Sequence, residues 1–456
     1  MKIPKILQTI SRAIQIHNAK MIVVGGSVRD HFLNKSIKDY DIEVYGLESL
    51  EELEEILSKF GSVNLVGKSF GVLKFVYRGD EYDFSFPRTE KKTGSGHRGF
   101  EVFSDGNMSF NEASLRRDFT INAMGFDIES SEFIDPYNGL DDMEKKVLRH
   151  IDDKTFVEDP LRVYRAVQFC ARFGYELAKS TKILCKDMVS SGMLEELPKE
   201  RIYKEFEKLL LKSDKPSVGF ELMRELGILD YFPELKDMIG VAQDKKWHLE
   251  GDVWVHTIMS LDVMATLKSG DDKLDLKLMY GVICHDMGKA TTTKMIDGKI
   301  RSFGHERAGV ELCKSFMYRL CDEHQFINDI ALLTKYHMVP SAFYSDGAKD
   351  RAIRRLATKV NIKELVVVAK ADFLGRTTLE AKSGVYKAGE WLSEKSKELK
   401  VEKSAPINFL QGRDLIALGL KPSREFSLLL KSVYEKQLDG DIGSKDEAIE
   451  FLKSKI

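Results

Sequence analysis

The residues whose types and spacing best suit chemistry lie in the stretch MIVVGGSVRDHFLNKSIKDYDIEVYG, residues 21–46. Asp39 and Asp41 are two positions apart, so on a strand both carboxylates project from one face. Their mutual repulsion is relieved by a divalent cation, and oxygen ligands suit Mg²⁺. The Gly25-Gly26 turn leaves backbone N–H groups free to approach a phosphate, and Arg29 adds a planar fork of donors. The combination indicates metal-assisted nucleotidyl transfer, although each half alone is ordinarily a turn or a solvated loop.

The elements that must position these residues follow from the local pattern. Met21–Val24 is an apolar, β-branched run that predicts a buried strand ending at the glycine turn. We expect Ser27 to cap a short helix that ends near Asn34. A second strand is predicted over Ile42–Tyr45, and a further strand-like run, Tyr82–Arg88, carries Asp83 as a third carboxylate on an adjacent strand.

Arginine-rich segments further along suit phosphate and base recognition. In SLRRDFTINA, residues 114–123, we expect Arg116, Arg117 and Asp118 to open a helix near a nucleotide, because the arginine fork matches triphosphate or ribose oxygens. Asp159-Pro160 is typical of a helix start. Asp159 and Arg162 then share one face, either as a weak surface ion pair or as a planar edge that reads a base.

The histidines concentrate after residue 235. His285-Asp286 closes an apolar run, with one histidine upstream and further histidines and an aspartate downstream. A lone buried histidine is ordinarily a core residue, but this order favours a divalent-metal site in which a bound water is activated. The set is His256, His285, Asp286, His305, His337 and Asp372.

Composition describes a protein of several domains in a reducing compartment. The chain has 456 residues, 43% of them hydrophobic and 31% charged, with a net charge of −2 that excludes a globally basic nucleic-acid binder but not a local basic groove. The five cysteines form no CxxC pair and are expected to be reduced core thiols, in a cytoplasmic protein. No apolar run is long enough to span a membrane, so we expect no membrane partner. The acid-free opening segment predicts a packing helix in preference to a transit peptide.

Two further basic segments have ordinary alternatives. Residues 90–101, EKKTGSGHRGFE, predict a basic, glycine-rich surface loop or a solvated linker. Arg351, Arg354 and Arg355 form a basic helix face, either for RNA phosphates or simply for solvent.

At this point the motifs are sufficient to name a family. In order, GGSVRD, KDYDIEV, DFSFPR, SLRRDFTINA, IDPYNG, EDPLRVYRAVQFCARFGY and ERIYKEFEKLL resemble those of the class II bacterial tRNA nucleotidyltransferases, which belong to the polymerase β superfamily. The later half is similar to the HD phosphohydrolase domain of the long bacterial CCA-adding enzymes. One departure is the helix before Met21, which is longer than in the HD-bearing relatives.

The resemblance implies an α+β fold with four parts. These are a nucleotidyltransferase head of mixed sheet and helices at 1–146, an all-α nucleotide-reading neck at 147–240, an HD domain at 241–375 and a helical tail at 376–456. It implies template-independent addition of CCA to the tRNA 3′ end from CTP and ATP. Loop 90–101 would match the family's flexible loop, which favours full CCA addition.

Site roles are implied by the same motifs. Asp39 and Asp41 would hold two Mg²⁺, with Asp83 as the third catalytic carboxylate. Gly26 and Arg29 match the triphosphate cradle, and Asp159 with Arg162 matches the base-reading template, with Arg165 on the next turn. The motif that contacts triphosphate and the ribose 2′-hydroxyl comprises Arg116, Arg117, Asp118 and Asn122.

The HD resemblance implies hydrolysis of 2′,3′-cyclic phosphates, 2′-nucleotides and phosphomonoesters. His256, His285, Asp286 and Asp372 match its core ligands for Ni²⁺, Mn²⁺ or Mg²⁺, while His305 and His337 match accessory positions. Three alternatives stay open: a relative with partial activity (A-adding, CC-adding or poly(A) polymerase), an RNA-binding protein with decayed catalysis, and either a monomeric or a homodimeric state.

Overall fold

The computed structural model describes residues 1–37, 39–67, 71–92 and 100–455. They form two compact units, the first comprising Met1–Leu209 with Glu221–Ile228 and the second Leu210–Phe220 with Leu229–Ile456. The four-part division expected from the sequence is finer than these units and stays a prediction.

A mixed seven-stranded sheet organises the first unit. The strands up to residue 228 are β1 (Lys20–Val24), β2 (Tyr40–Tyr45), β3 (Ser62–Gly67), β4 (Val72–Tyr77), β5 (Asp80–Ser85), β6 (Arg88–Lys92), β7 (Phe100–Ser104), β8 (Gly125–Asp127), β9 (Phe133–Ile134), β10 (Val147–Leu148) and β11 (Glu176–Leu177). The sheet order is β3-β4-β5-β2-β1-β8-β9. Only its β2–β5 pair is parallel, the remaining neighbours being antiparallel. The predicted α+β head is confirmed.

Helices pack against the sheet, and the later part of the first unit is mainly helical. Those that begin before residue 228 are α1 (Lys5–Gln15), α2 (Gly26–Phe32), α3 (Leu50–Ser58), α4 (Phe110–Leu115), α5 (Gly139–Glu144), α6 (Asp153–Val157), α7 (Leu161–Phe173), α8 (Lys179–Ser190), α9 (Lys199–Lys212) and α10 (Ser217–Leu226). Single 3₁₀ turns occur at Thr120–Asn122, Met193–Glu196 and Ile228–Tyr231. α1 buries Leu7, Ile10 and Ile14 in the head core, so the predicted packing helix is confirmed.

Alternation along β2 separates the core from the chemistry. Ile42 and Val44 are fully buried in the head core. Since strand side chains alternate in direction, Asp41, Glu43 and Tyr45 share the opposite face. The same strand therefore anchors the fold with one face and presents acidic groups with the other.

The second unit is helical apart from one hairpin, β12 (Lys294–Ile296) and β13 (Lys299–Arg301). Its further helices are α11 (Pro233–Lys236), α12 (Val253–Thr266), α13 (Asp272–Cys284), α14 (Lys289–Thr292), α15 (His305–Tyr318), α16 (His324–Tyr336), α17 (Val339–Asp346), α18 (Asp350–Ala357), α19 (Ile362–Leu374), α20 (Leu379–Lys382), α21 (Lys387–Glu398), α22 (Gly412–Ala417), α23 (Glu425–Asp439) and α24 (Lys445–Lys453). All five cysteines are buried free thiols, as predicted. Within the described ranges no helix has the length and apolar character required to cross a bilayer.

The basic face on α18 is partly used inside the unit. Arg355 lies 2.8 Å from Glu435 and 3.0 Å from Asp439 on α23. Arg354 Nη1 donates to the carbonyl of Leu438 at 3.4 Å. Their charges are therefore engaged within the unit, which agrees better with the ordinary interpretation than with a face reserved for RNA.

Candidate active site and buried histidine–aspartate cluster

Three carboxylates meet at the start of β2. The parallel register pairs Asp41 with Asp83 on β5, and Asp39 immediately precedes β2. Burial raises the pKa of Asp41, and although Arg117 opposes the rise, the charges of Asp83 and Asp39 add to it. Such mutual repulsion between oxygen donors fits a divalent cation. The predicted convergence of the third carboxylate is confirmed, while its catalytic role stays a prediction.

The glycine turn approaches these carboxylates closely. Gly25 has a φ of 70°, and a Cβ there would lie 3.0 Å from Arg117 Nη1 and 3.8 Å from Asp41 Oδ2. Only glycine satisfies both the backbone angle and the space. The prediction that Ser27 caps α2 is wrong: Gly25 occupies the N-cap position, and the Ser27 hydroxyl donates instead to the Val24 carbonyl.

Glu43, two residues beyond Asp41, holds two arginines. Arg117 Nη2 donates to Glu43 Oε1 at 2.8 Å and Arg116 Nη2 donates to the same oxygen at 3.2 Å, while the Tyr45 hydroxyl donates to Oε2. Burial alone would raise the pKa of Glu43, but both guanidinium groups and the hydroxyl outweigh it and lower the pKa. A buried carboxylate thus fixes two cations beside the cleft.

The expected helix start at Arg116 is wrong. α4 begins at Phe110, after the N-cap Ser109 and its capping box with Glu112, and ends at Leu115, so Arg116 is its C-cap. The backbone that follows is diverted to another partner, because Thr120 N–H donates to the Arg149 carbonyl at 2.9 Å. Tertiary pairing here prevails over the apolar helical pattern.

A buried polar chain connects this segment with α2 and α7. Asp118 accepts from Arg165 at 2.7 Å and from Asn122 at 2.9 Å, and Asn122 accepts from Arg29 at 2.7 Å. Burial would raise the pKa of Asp118, but Arg165 and the Asn122 amide lower it. Arg29 also donates twice to Asp30, so much of its predicted phosphate-binding fork is satisfied within the protein.

The candidate base-reading pair has a partner that the sequence did not indicate. Asp159 Oδ2 accepts from Arg201 Nη2 of α9 at 3.0 Å. Arg162 donates to the carbonyls of Thr155 and Arg116, both at 2.6 Å. Asp159 and Arg162 therefore do not pair with each other, and Arg201 completes the group.

These side chains surround one cleft of about 380 Å³ in the first unit. Its lining includes the glycine turn, Asp41, Arg117 and both members of the Asp159–Arg201 pair. The cleft is therefore lined by arginines together with the carboxylates of Asp41, Asp118 and Asp159. Residues 93–99 of the predicted basic loop lie outside the described residues. The remaining residues of that loop, 90–92 and 100–101, belong to the antiparallel strands β6 and β7.

The second unit brings all six predicted histidines and aspartates together. His256 Nε2 lies 3.1 Å from Asp372 Oδ1, and His285 Nε2 lies 3.2 Å from Asp286 Oδ2. His305 and His337 lie 3.3 Å and 3.8 Å from the other Asp286 oxygen. Two triads among these six residues have ligand atoms within 4.8 Å of one another, namely His256–His285–Asp372 and Asp286–His305–His337, and His248–Glu250–His256 is a third such group.

The protonation state of His337 favours metal binding. Burial and the neighbouring His285 lower the pKa of His337 to about 3, which keeps its imidazole neutral. His285 Nε2 is buried 3.2 Å from Asp286 Oδ2, but the geometry of this contact is not that of a hydrogen bond. A buried polar atom without a partner costs free energy, so a ligand for it is expected. The donor set therefore fits a divalent transition metal.

Sequence reasoning missed the residues that surround the cluster. Glu250 lies 2.9 Å from both His248 Nδ1 and His256 Nδ1. Lys289 pairs with Asp286 and Arg376 with Asp372. The last two pairs have helical i, i+3 and i, i+4 spacing, which could have revealed them in the sequence.

Comparison with known proteins agrees with the motifs. Residues 21–149 match the family described as "Poly A polymerase head domain", and residues 174–239 match "Probable RNA and SrmB- binding site of polymerase A". Apo form II of a CCA-adding enzyme is 22% identical with a TM-score of 0.68, over 100% of this chain and 97% of that chain.

Two liganded structures are similar to the same extent. The Bacillus stearothermophilus CCA-adding enzyme in complex with CTP is 20% identical with a TM-score of 0.66, over 100% of this chain and 99% of that chain. The Thermotoga maritima CCA-adding enzyme complexed with tRNA is 22% identical with a TM-score of 0.61, over 100% and 96%. Residues 21–149 and 174–239 therefore match these two family models, and the chain has the fold of the CCA-adding enzymes.

Proposed function

We propose that the chain is a tRNA nucleotidyltransferase that adds CCA to the tRNA 3′ end from CTP and ATP. The observation that carries the proposal is the β2–β5 register, which sets Asp41 beside Asp83 at the edge of an arginine-lined cleft. CCA-adding enzymes of this fold have been solved with CTP, with ATP and with tRNA, which supports these substrates.

Each part of the cleft has a role in this proposal. Mg²⁺ held by Asp39 and Asp41 would stabilise the charge that develops during phosphoryl transfer. Arg117 and Arg116 neutralise triphosphate oxygens at positions fixed by Glu43. Asp118 and Asn122 orient the ribose, with Arg165 holding Asp118 in place.

Base choice rests on a few planar groups. Asp159 accepts hydrogen bonds and the arginines donate them, so a base with the opposite pattern leaves a polar group unpaired. Because Arg201 holds one oxygen of Asp159, the carboxylate has a defined orientation before the nucleotide arrives.

Incubation with Mg²⁺, CTP, ATP and tRNA lacking its CCA end tests the proposal. Full activity gives three added residues, C, C and A, on a sequencing gel. Two C residues without A would establish a CC-adding enzyme. Addition of one A, and only to tRNA that already ends in CC, would establish an A-adding enzyme. Long A tracts would establish a poly(A) polymerase. No addition either to tRNA lacking CCA or to tRNA ending in CC would refute the transferase assignment.

We propose a second activity, metal-dependent phosphohydrolysis at the histidine–aspartate cluster. Six buried ligand residues converge there, with the ligand atoms of each of two triads within 4.8 Å of one another. Ni²⁺, Mn²⁺ or Mg²⁺ would lower the pKa of a bound water and make it a nucleophile. The substrates are 2′,3′-cyclic phosphates, 2′-nucleotides and phosphomonoesters.

Hydrolysis of adenosine 2′,3′-cyclic phosphate by metal-loaded protein tests the second activity. Chelation should abolish it, and one of the three metals should restore it. A wild-type protein that binds the metal yet hydrolyses none of the three substrate classes would refute the hydrolase assignment.

A further inference from the structure

An aromatic-walled cavity of about 620 Å³ lies in the second unit. We call it the aromatic cavity and define it by six of its lining residues: Trp247, Tyr344, Phe373, Arg376, Thr378 and Tyr386. None of these residues was expected from the sequence to take part in chemistry.

Arg376 links the aromatic cavity to the histidine–aspartate cluster. Phe373 directly follows Asp372, and Trp247 directly precedes His248. Arg376 Nη2 donates to both oxygens of Asp372, at 3.0 Å and 3.2 Å. One guanidinium therefore belongs both to the cavity wall and to the ligand group.

The cavity wall combines aromatic rings with the smaller aliphatic side chains of Val385 and Ala388. Phe373 and Tyr386 are stacked with their centroids 5.0 Å apart, which fixes one platform. Trp247 is 47% exposed and Tyr344 is 46% exposed, so both rings keep open surface. Exposed aromatic surface is unfavourable in water and is typical of a site that stacks on a flat ligand.

The charge pattern restricts the ligand further. Arg376 lines the cavity together with the charged residues Glu380 and Lys387, and it also pairs with Asp372 of the histidine–aspartate cluster. A ligand that matches both needs a flat aromatic ring and a phosphate within one molecule. A nucleotide has both features, and the guanidinium group of Arg376 matches the negative charge of its phosphate.

We propose that the aromatic cavity binds the nucleobase of a nucleotide whose phosphate is hydrolysed at the cluster. The inference rests on the proposed phosphohydrolase function and names its preferred substrates as nucleotides over simple phosphomonoesters. It is a base site separate from the cleft on the first unit, and its stacking recognition tolerates different bases.

Calorimetric binding of adenosine 2′-monophosphate to the full-length chain tests the cavity directly. Tyr344→Ala and Trp247→Ala should each weaken binding by about tenfold, since base–aromatic stacking contributes that much. Leu379→Ala is the matched control, because this neighbouring apolar side chain is 86% exposed and outside the cavity lining. Unchanged affinity in both aromatic variants, or no measurable binding to wild type, would overturn the proposal.

Kinetics separate the cavity from the hydrolase assignment. Tyr344→Ala should raise KM for adenosine 2′,3′-cyclic phosphate by about tenfold, while kcat/KM for glycerol 2-phosphate, which has no ring, stays unchanged. Equal losses on both substrates would overturn the base site. If wild type hydrolyses neither substrate, the hydrolase assignment fails and the binding measurement alone decides on the cavity.

Discussion

At the scale of single residues, Glu43 is a buried carboxylate whose charge is used to hold two cations. Arg116 and Arg117 both donate to its Oε1, at 3.2 Å and 2.8 Å. A neutral amide at position 43 would leave two guanidinium groups close together without a negative charge to offset their repulsion. In the proposed function, Glu43 is therefore a positioning residue for the arginines that would contact the triphosphate.

We predict that Glu43→Gln lowers kcat/KM for CTP addition by about 10- to 100-fold, mainly through KM. Glu81→Gln is the matched control, because Glu81 makes an exposed pair with Lys74 on the same sheet at 2.8 Å. Steady-state release of pyrophosphate measures both. Equal activity of the Glu43 variant and wild type would contradict the positioning role.

Arg201 carries a prediction about selectivity rather than rate. Without its donor to Asp159, the carboxylate turns more freely and discriminates less between base edges. We expect Arg201→Met to raise misincorporation of UTP or GTP relative to CTP and ATP by about tenfold. Arg224→Met, which removes a half-exposed partner of Glu221, should leave the ratio unchanged. Competition assays with labelled nucleotides give the ratio directly.

Residue types and short spacings predicted much of the site. The period of two along β2 placed Asp41 on one face, and the six cluster residues were identified from their order. The contacts of Glu43 with Arg117 and of Asp159 with Arg201 join residues 74 and 42 positions apart. No local pattern encodes such pairs, because they depend on how distant elements pack.

At the scale of elements, the glycine turn between β1 and α2 is limited by space as well as by angle. Gly25→Ala meets the left-handed penalty and a contact of 3.0 Å to Arg117 Nη1. We predict that it lowers the free energy of unfolding by about 1–2 kcal/mol and strongly reduces CTP addition.

A second glycine separates the two causes. Gly79 has a φ of 93° in the β4–β5 turn, and a Cβ there meets nothing within 4 Å. Gly79→Ala should therefore show the conformational cost alone and retain activity. If both variants lose stability and activity equally, crowding of the cleft by residue 25 is not the cause. Chemical denaturation and the addition assay supply the comparison.

Two thiols on α7 and α8 make the first unit sensitive to alkali. Burial raises the pKa of Cys170 and of Cys185 to about 12, from an ordinary value of 9.0. The unfolded thiols ionise first, so the stability that they contribute is complete below pH 9 and is lost as the pH rises towards 12. We predict that the free energy of unfolding falls less steeply above pH 9 in Cys170→Ala than in wild type. Identical slopes in urea titrations at pH 8, 9 and 10 would contradict this.

Element types were largely predictable, whereas the segment 114–123 was not. Its pattern favours a helix, yet the Phe119–His150 bridge and the bond from Thr120 to Arg149 extend the backbone. Likewise the positive φ of Gly25 displaced Ser27 from the cap. In both places a specific backbone geometry beside the cleft prevails over local propensity.

At the scale of the whole molecule, the two proposed chemistries use different units. The carboxylates on β2 and β5 belong to the first unit, and the histidine–aspartate cluster belongs to the second. The sequence indicated this separation, since the two groups of motifs occupy opposite halves of the chain. The structure adds that each group is completed by residues of its own unit, such as Glu43 for one and Glu250 for the other.

The separation predicts that the activities can be removed one at a time. Asp39→Ala should lower nucleotide addition by about a thousandfold or more, because a metal-binding carboxylate contributes several kcal/mol, and should spare hydrolysis of adenosine 2′,3′-cyclic phosphate. His285→Ala should abolish hydrolysis and spare addition. His324→Ala, at an exposed histidine that bonds to Tyr318, controls for loss of an imidazole in the same unit. Parallel assays on one preparation of each variant measure both activities, and loss of both in either catalytic variant, with unfolding curves like wild type, would show that the two sites depend on each other.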